Sequence, residues 1–161
     1  MNLNELRDKA YRNAVTHGFH DEELSNEHCL CLVISELMEA VKADRKGRFA
    51  KVPVDKKGTI FDERTFHYQN KYFAENFETY IKDCVEDELA DACIRLLDLA
   101  GLRNISIDDF SGEMIYEATE SCNNETFTES IYAISTIPIR CEYEYDSLLE
   151  NQLNSMLLAI F

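Results

Sequence analysis

The chain has 161 residues and a net charge of −15, and 45% of its residues are apolar. That size and apolar fraction fit one domain with its own core and exclude a disordered acidic tail. So strong a negative field repels nucleic-acid polymers and anionic membranes. A small anionic ligand stays open, because a bound divalent cation reverses the field locally.

Five glycines and two prolines leave few helix breakers. The expected fold is all-α: a four- to five-helix bundle spanning 1–161 as a single domain, with a long loop insertion. The first residues, MNLNELRDKAYRNAV, lack the apolar stretch of a signal peptide. No apolar run approaches the roughly 20 residues of a membrane span. The six cysteines form no C-x-x-C pair and read as reduced, mainly buried thiols. The expected location is cytoplasmic.

Residues 2–17 read as a first helix, with Leu3, Leu6, Ala10 and Ala14 on one side and Gly18 closing it. A second helix starts near Ser25, capped by Ser25 or Asn26, and carries Leu30, Val33, Ile34, Leu37 and Val41 on one stripe before stopping at Gly47. Residues 47–72 lose the helical period and read as a long loop with room for a short hairpin. Helicity resumes near Lys71, with a break near Lys82, and ends at Gly101. A short helix is expected within 109–120. Two closing helices, 126–137 and 145–160, are expected to be separated by Pro138 and the residues after it.

Acidic residues three apart are common in a chain with 31 of them, so spacing alone says little. Two pairs stand out by context. Glu36 and Glu39 are the only charges between Cys29 and Val41, on a helix apolar on both sides. Glu88 and Asp91 begin a polar stripe that continues through Arg95 to Asp98, opposite the apolar Val85, Leu89, Ala92, Leu96 and Ala100. Carboxylate pairs on facing helices make an anionic slot. Oxygen donors without a histidine partner suit Mg²⁺, or Mn²⁺, over Zn²⁺ or iron. The alternative is a seam of inter-helix salt bridges with Arg95 and Lys42.

The ordered pair SELME at 35–39 and EDELAD at 86–91 resembles the E-x-x-E … E-x-x-D signature of MazG-type nucleoside triphosphate pyrophosphohydrolases, of the all-α pyrophosphatase superfamily. The resemblance extends through SELMEAVKADRKG and EDELADACIRLLDLAG and covers about residues 18–102; the C-terminal helices, about 105–161, carry no matching motif. It implies Mg²⁺-dependent hydrolysis of a (d)NTP to the monophosphate and pyrophosphate. It puts Glu36, Glu39, Glu88 and Asp91 on metal-ligand positions, and implies a homodimer or homotetramer. Glu36 or Glu39 is the expected general base, and Asp98 a possible auxiliary. Ala90 stands where the family often has Gly, and the 47–72 insertion lengthens the gap between the motifs.

Seven of the sixteen basic residues lie at or just after the second helix: Lys42, Arg45, Lys46, Arg48, Lys51, Lys56 and Lys57. Arg45, Lys46 and Arg95 are the expected phosphate contacts. Phe61, Phe66, Tyr68, Tyr72 and Phe73 are candidates for stacking on a base. His17, His20 and His28 read as ordinary surface or packing histidines. The competing functional class is a non-catalytic bundle that binds a nucleotide or a protein partner. A carboxylate-bridged metal oxidase would need an E-x-x-H pair, which the chain lacks at both motifs.

Overall fold

The computed structural model describes residues 2–55, 58–59, 71–120, 125–144 and 148–161. Among them are seven helices: α1 (Leu3–Thr16), α2 (Asn26–Arg45), α3 (Lys71–Tyr80), α4 (Val85–Leu102), α5 (Gly112–Glu120), α6 (Phe127–Tyr143) and α7 (Leu149–Ile160). The protein is an all-α bundle. The five longer helices build the core, and a two-residue antiparallel ladder, β1 (Val54–Asp55) with β2 (Gly58–Thr59), lies within the expected insertion. No helix among the described residues is long and apolar enough to cross a membrane.

Polar side chains start the helices. Asn2 Oδ1 accepts the backbone N–H groups of Asn4 and Glu5 at α1, and Ser25 Oγ accepts that of His28 at α2. Thr126 and Glu129 form a reciprocal capping box at α6. The helix ends share one device. Gly18 (φ +76°) and Gly47 (φ +64°) take the left-handed position, and the next residue's N–H reaches back five residues, from Phe19 to Ala14 O and from Arg48 to Ala43 O.

At α4 the sequence misleads. Gly101 reads as its terminator, yet the helix continues through Leu102, and Asn104 (φ +53°) takes the left-handed position while Ile105 N bonds Ala100 O. Gly101 is small for another reason: a Cβ there would lie 2.5 Å from the Tyr11 Cβ, where α1 crosses α4. Pro138 likewise does not divide two helices. It lies buried inside α6, which runs on to Tyr143. The proline forfeits one backbone bond, and the hydroxyls of Ser135 and Thr136 donate back to the Ile131 and Ala133 carbonyls in the same stretch. The expected break near Lys82 is a turn at 81–84, with Asp83 at φ +55°.

α4 is the central element. It packs against α1, α2 and α7, while α6 bridges α2 and α7. Leu96 and Leu99 on α4, Val33 and Leu37 on α2, and Leu153, Met156 and Leu157 on α7 are almost completely excluded from water. Leu97 and Leu99 extend the buried surface of α4 well beyond the one stripe read from the sequence. The cysteines are less buried than expected: of the five described, Cys84 is buried and Cys31 exposed, with the rest between.

α2 and α4 run antiparallel. At one end Arg103 Nε donates to Asn26 Oδ1 at 2.7 Å. At the other, the chain leaving α2 is stapled to the α3–α4 turn: Val85 N bonds Arg48 O, Lys51 N bonds Tyr80 O, and Ala50 N bonds Glu86 Oε2. The base of the insertion is therefore closed, and the two motif helices are fixed in register.

Candidate metal centre on the α2–α4 seam

The antiparallel register brings the two acidic motifs together across the seam. Carboxylate oxygens of Glu36, Glu88 and Asp91 all lie within 4.8 Å of one another. Glu88, in the first turn of α4, is 7% exposed, and no described residue donates a hydrogen bond to its carboxylate. Burial, then the negative charges of Glu39, Glu36, Asp87 and Asp91, push its pKa up to about 7. Asp91 is exposed, yet burial of part of its carboxyl, Asp87 and Glu36 raise its pKa, with Arg95 pulling the other way.

At such separations each like-charged pair costs about 3–4 kcal/mol at an effective dielectric constant near 20, and less where water screens Asp91. The mutual repulsion of the three carboxylates favours a proton on Glu88 or a cation beside it. Their donor set is hard oxygen, from two helices held by a packed core. It fits Mg²⁺ or Mn²⁺, and holds neither thiolate nor imidazole to favour Zn²⁺.

The remaining candidates divide. Arg95 Nε donates to Glu36 Oε1 at 2.5 Å, so this guanidinium engages a carboxylate of the cluster. Glu39 lies at the rim, about half exposed, with Lys42 Nζ 3.4 Å away. Asp98 stands apart from the three: its Oδ1 meets His20 Nε2 at 2.8 Å. Of the inter-helix salt bridges that the sequence allowed as an alternative, Arg95–Glu36 is formed, whereas Lys42 pairs with Glu39 on its own helix; neither pair engages Glu88.

A cleft of about 130 Å³ opens beside Glu39 and Glu88, lined also by Lys42, Lys46, Arg48 and Asp83. Cations and carboxylates share this space, as a phosphate ester carrying a divalent cation requires. Lys46 faces it; Arg45 is exposed and does not line it. Helical geometry explains the split, because Lys42 and Lys46 follow Glu39 by three and seven residues and so share its face, whereas Arg45 is turned about 120° away. Arg48 was visible in the sequence only as a member of the basic group, and Lys42 as that and as a salt-bridge partner. Arg48 enters because its main chain is stapled to Val85 and its Nη2 lies 3.4 Å from Asp83 Oδ2.

His20 was not foreseen as a partner of Asp98, which lies 78 residues away. Its ring lies tilted against Tyr11, with the ring centres 5.4 Å apart. Of the stacking candidates, Phe73 packs on Phe77 at 6.4 Å. Phe61, Phe66, Tyr68 and the side chain of Tyr72 lie outside the described residues, as do Lys56, Lys57 and Cys122. No protein family, curated protein or solved structure matches the chain.

Proposed function

We propose that the chain hydrolyses a nucleoside triphosphate to the monophosphate and pyrophosphate, with a divalent cation held by Glu36, Glu88 and Asp91. The observation that carries the reading is Glu88: a residue 7% exposed that lines the cleft, its carboxylate without a hydrogen-bond donor among the described residues and beside two more carboxylates. A fold retains such a group at a cost, and a cation relieves it. The nucleotide class rests on the resemblance of residues 35–47 and 86–101 to MazG-type enzymes.

When bound, Mg²⁺ supplies charge neutralisation for the phosphates and acidifies water. The chain's own groups do the rest. Lys42, Lys46 and Arg48 bind phosphate oxygens in the cleft they line. Glu36 is committed through Oε1 to Arg95, whereas Glu39 is about half exposed and only loosely tied to Lys42. Glu39 is therefore the general base that takes the proton of the attacking water. A homo-oligomeric, cytoplasmic protein is part of the same proposal.

The Arg95–Glu36 ion pair across the seam favours a second reading, a non-catalytic bundle in which this pair only holds the two helices together. A panel of NTPs and dNTPs with Mg²⁺, scored for pyrophosphate and for orthophosphate, separates the two. Pyrophosphate release is expected, reduced at least about 100-fold in Glu88→Gln and in Glu39→Gln. Turnover of no member, or release of orthophosphate alone, overturns the enzyme reading.

A further inference from the structure

We propose that Arg95 is the built-in counter-ion of the acidic cluster, cancelling one of its three charges so that the remainder matches a single divalent cation. The inference rests on the cation reading above and adds what tunes it. Glu36, Glu88 and Asp91 come within 4.8 Å of one another, and among the described residues Arg95 is the cation bonded to one of them. Its position follows from the helix. Arg95 lies one turn beyond Asp91 on α4, and its side chain crosses the seam to Glu36 on α2.

Other nearby cations are used differently. Lys42 turns to Glu39 on its own helix, and Arg48 reaches Asp83. Glu88, with 7% of its surface exposed and no donor among the described residues, is left facing the cluster. The Arg95 guanidinium stays charged at every pH the fold survives, so the cancellation is permanent. Through Nε it occupies one Glu36 oxygen and leaves the other free. Two uncompensated charges then remain for an incoming ion.

Removing the guanidinium returns the third charge. The site then favours ions of higher charge, because each added ionic charge meets one more negative group. The test is competitive binding of Tb³⁺ and Mg²⁺ to the full chain, read by Tb³⁺ luminescence, in wild type, Arg95→Gln, Arg95→Met and Arg95→Lys. The Tb³⁺-over-Mg²⁺ preference is expected to rise about tenfold or more in Arg95→Gln and Arg95→Met, and to stay within about threefold of wild type in Arg95→Lys, which keeps the charge. A preference unchanged in the neutral variants overturns the role of Arg95 and leaves the cation site standing. Wild type that binds neither ion overturns the cation reading itself, and this proposal with it. Should one neutral variant fail to fold, the other carries the measurement.

Discussion

The two ends of one helix pair use their charges in opposite ways. Where α2 begins and α4 ends, the charged groups that reach across to the neighbouring segment are partnered: His20 meets Asp98 at 2.8 Å, and Arg103 donates to Asn26 Oδ1 and to the Leu24 carbonyl. Half-buried and paired, these groups cost little to keep and tie the α1–α2 connection to α4. Towards the start of α4 the pattern fails. Glu88 is more deeply buried than Asp98 and has no donor among the described residues, and Asp91 adds to the repulsion. The contrast lies in two carboxylates: Asp98 is paired across the bundle, whereas Glu88 has no donor among the described residues.

The sharpest way to break this contrast is to neutralise one aspartate at each end. Asp91→Asn removes an oxygen donor from the cluster and is expected to lower pyrophosphate release at least about 100-fold with little loss of stability. Asp98→Asn is expected to leave turnover within about threefold of wild type while costing about 1–3 kcal/mol by urea denaturation, because His20 loses its charged partner in a half-buried site. Equal effects of the two substitutions on turnover would dissolve the distinction between the ends.

A second prediction concerns pH. Glu88 is raised from 4.5 to about 7 in the folded chain, so the folded state binds its proton more tightly than the unfolded state. The associated stability is fully present below about pH 4.5 and is lost as pH rises through about 7. At about 1.4 kcal/mol per pKa unit the difference amounts to a few kcal/mol at most. In EDTA, Tm is therefore expected to fall between pH 5 and 7.5 more steeply in wild type than in Glu88→Gln. Saturating Mg²⁺ is expected to remove the difference, since a cation on the cluster replaces the proton. Equal slopes in EDTA would refute the assignment of Glu88.

The fold was legible in the sequence wherever a local rule governed it. The 3.6-residue stripes, Ser25 as a cap and Gly18 and Gly47 as terminators were all readable, because each depends on residues within one or two turns. The sequence misled where tertiary packing set the outcome. Pro138 is a breaker in isolation but sits buried within α6. The break in the acidic stripe between Arg95 and Asp98 was hidden because it depends on partners 59 and 78 residues away, Glu36 and His20. Likewise, context and resemblance put Glu36, Glu39, Glu88 and Asp91 together, whereas Glu39 lies at the rim, turned towards Lys42 and the cleft.

Gly101 provides the smallest and most discriminating test, because helix propensity and packing predict opposite signs. Propensity alone makes Gly101→Ala stabilising by nearly 1 kcal/mol in a helix interior. The geometry opposes it: the new Cβ would lie 2.5 Å from Tyr11 Cβ, 3.0 Å from Tyr11 Cγ and 3.4 Å from the Arg7 carbonyl oxygen. None of these is the loose tip of a side chain, so α1 must shift as a body against α4, straining the Arg7–Ile105 and Asn4–Ile107 bonds that clamp the following segment to α1. Overpacking of this kind costs about 1–3 kcal/mol, which exceeds the propensity gain. Gly101→Ala is therefore expected to lower the urea midpoint with its slope unchanged. The strain falls at the paired end of the seam, remote from Glu88, so cation binding should survive it; a raised midpoint would mean that α1 does not press on α4 as closely as the Tyr11 contact requires.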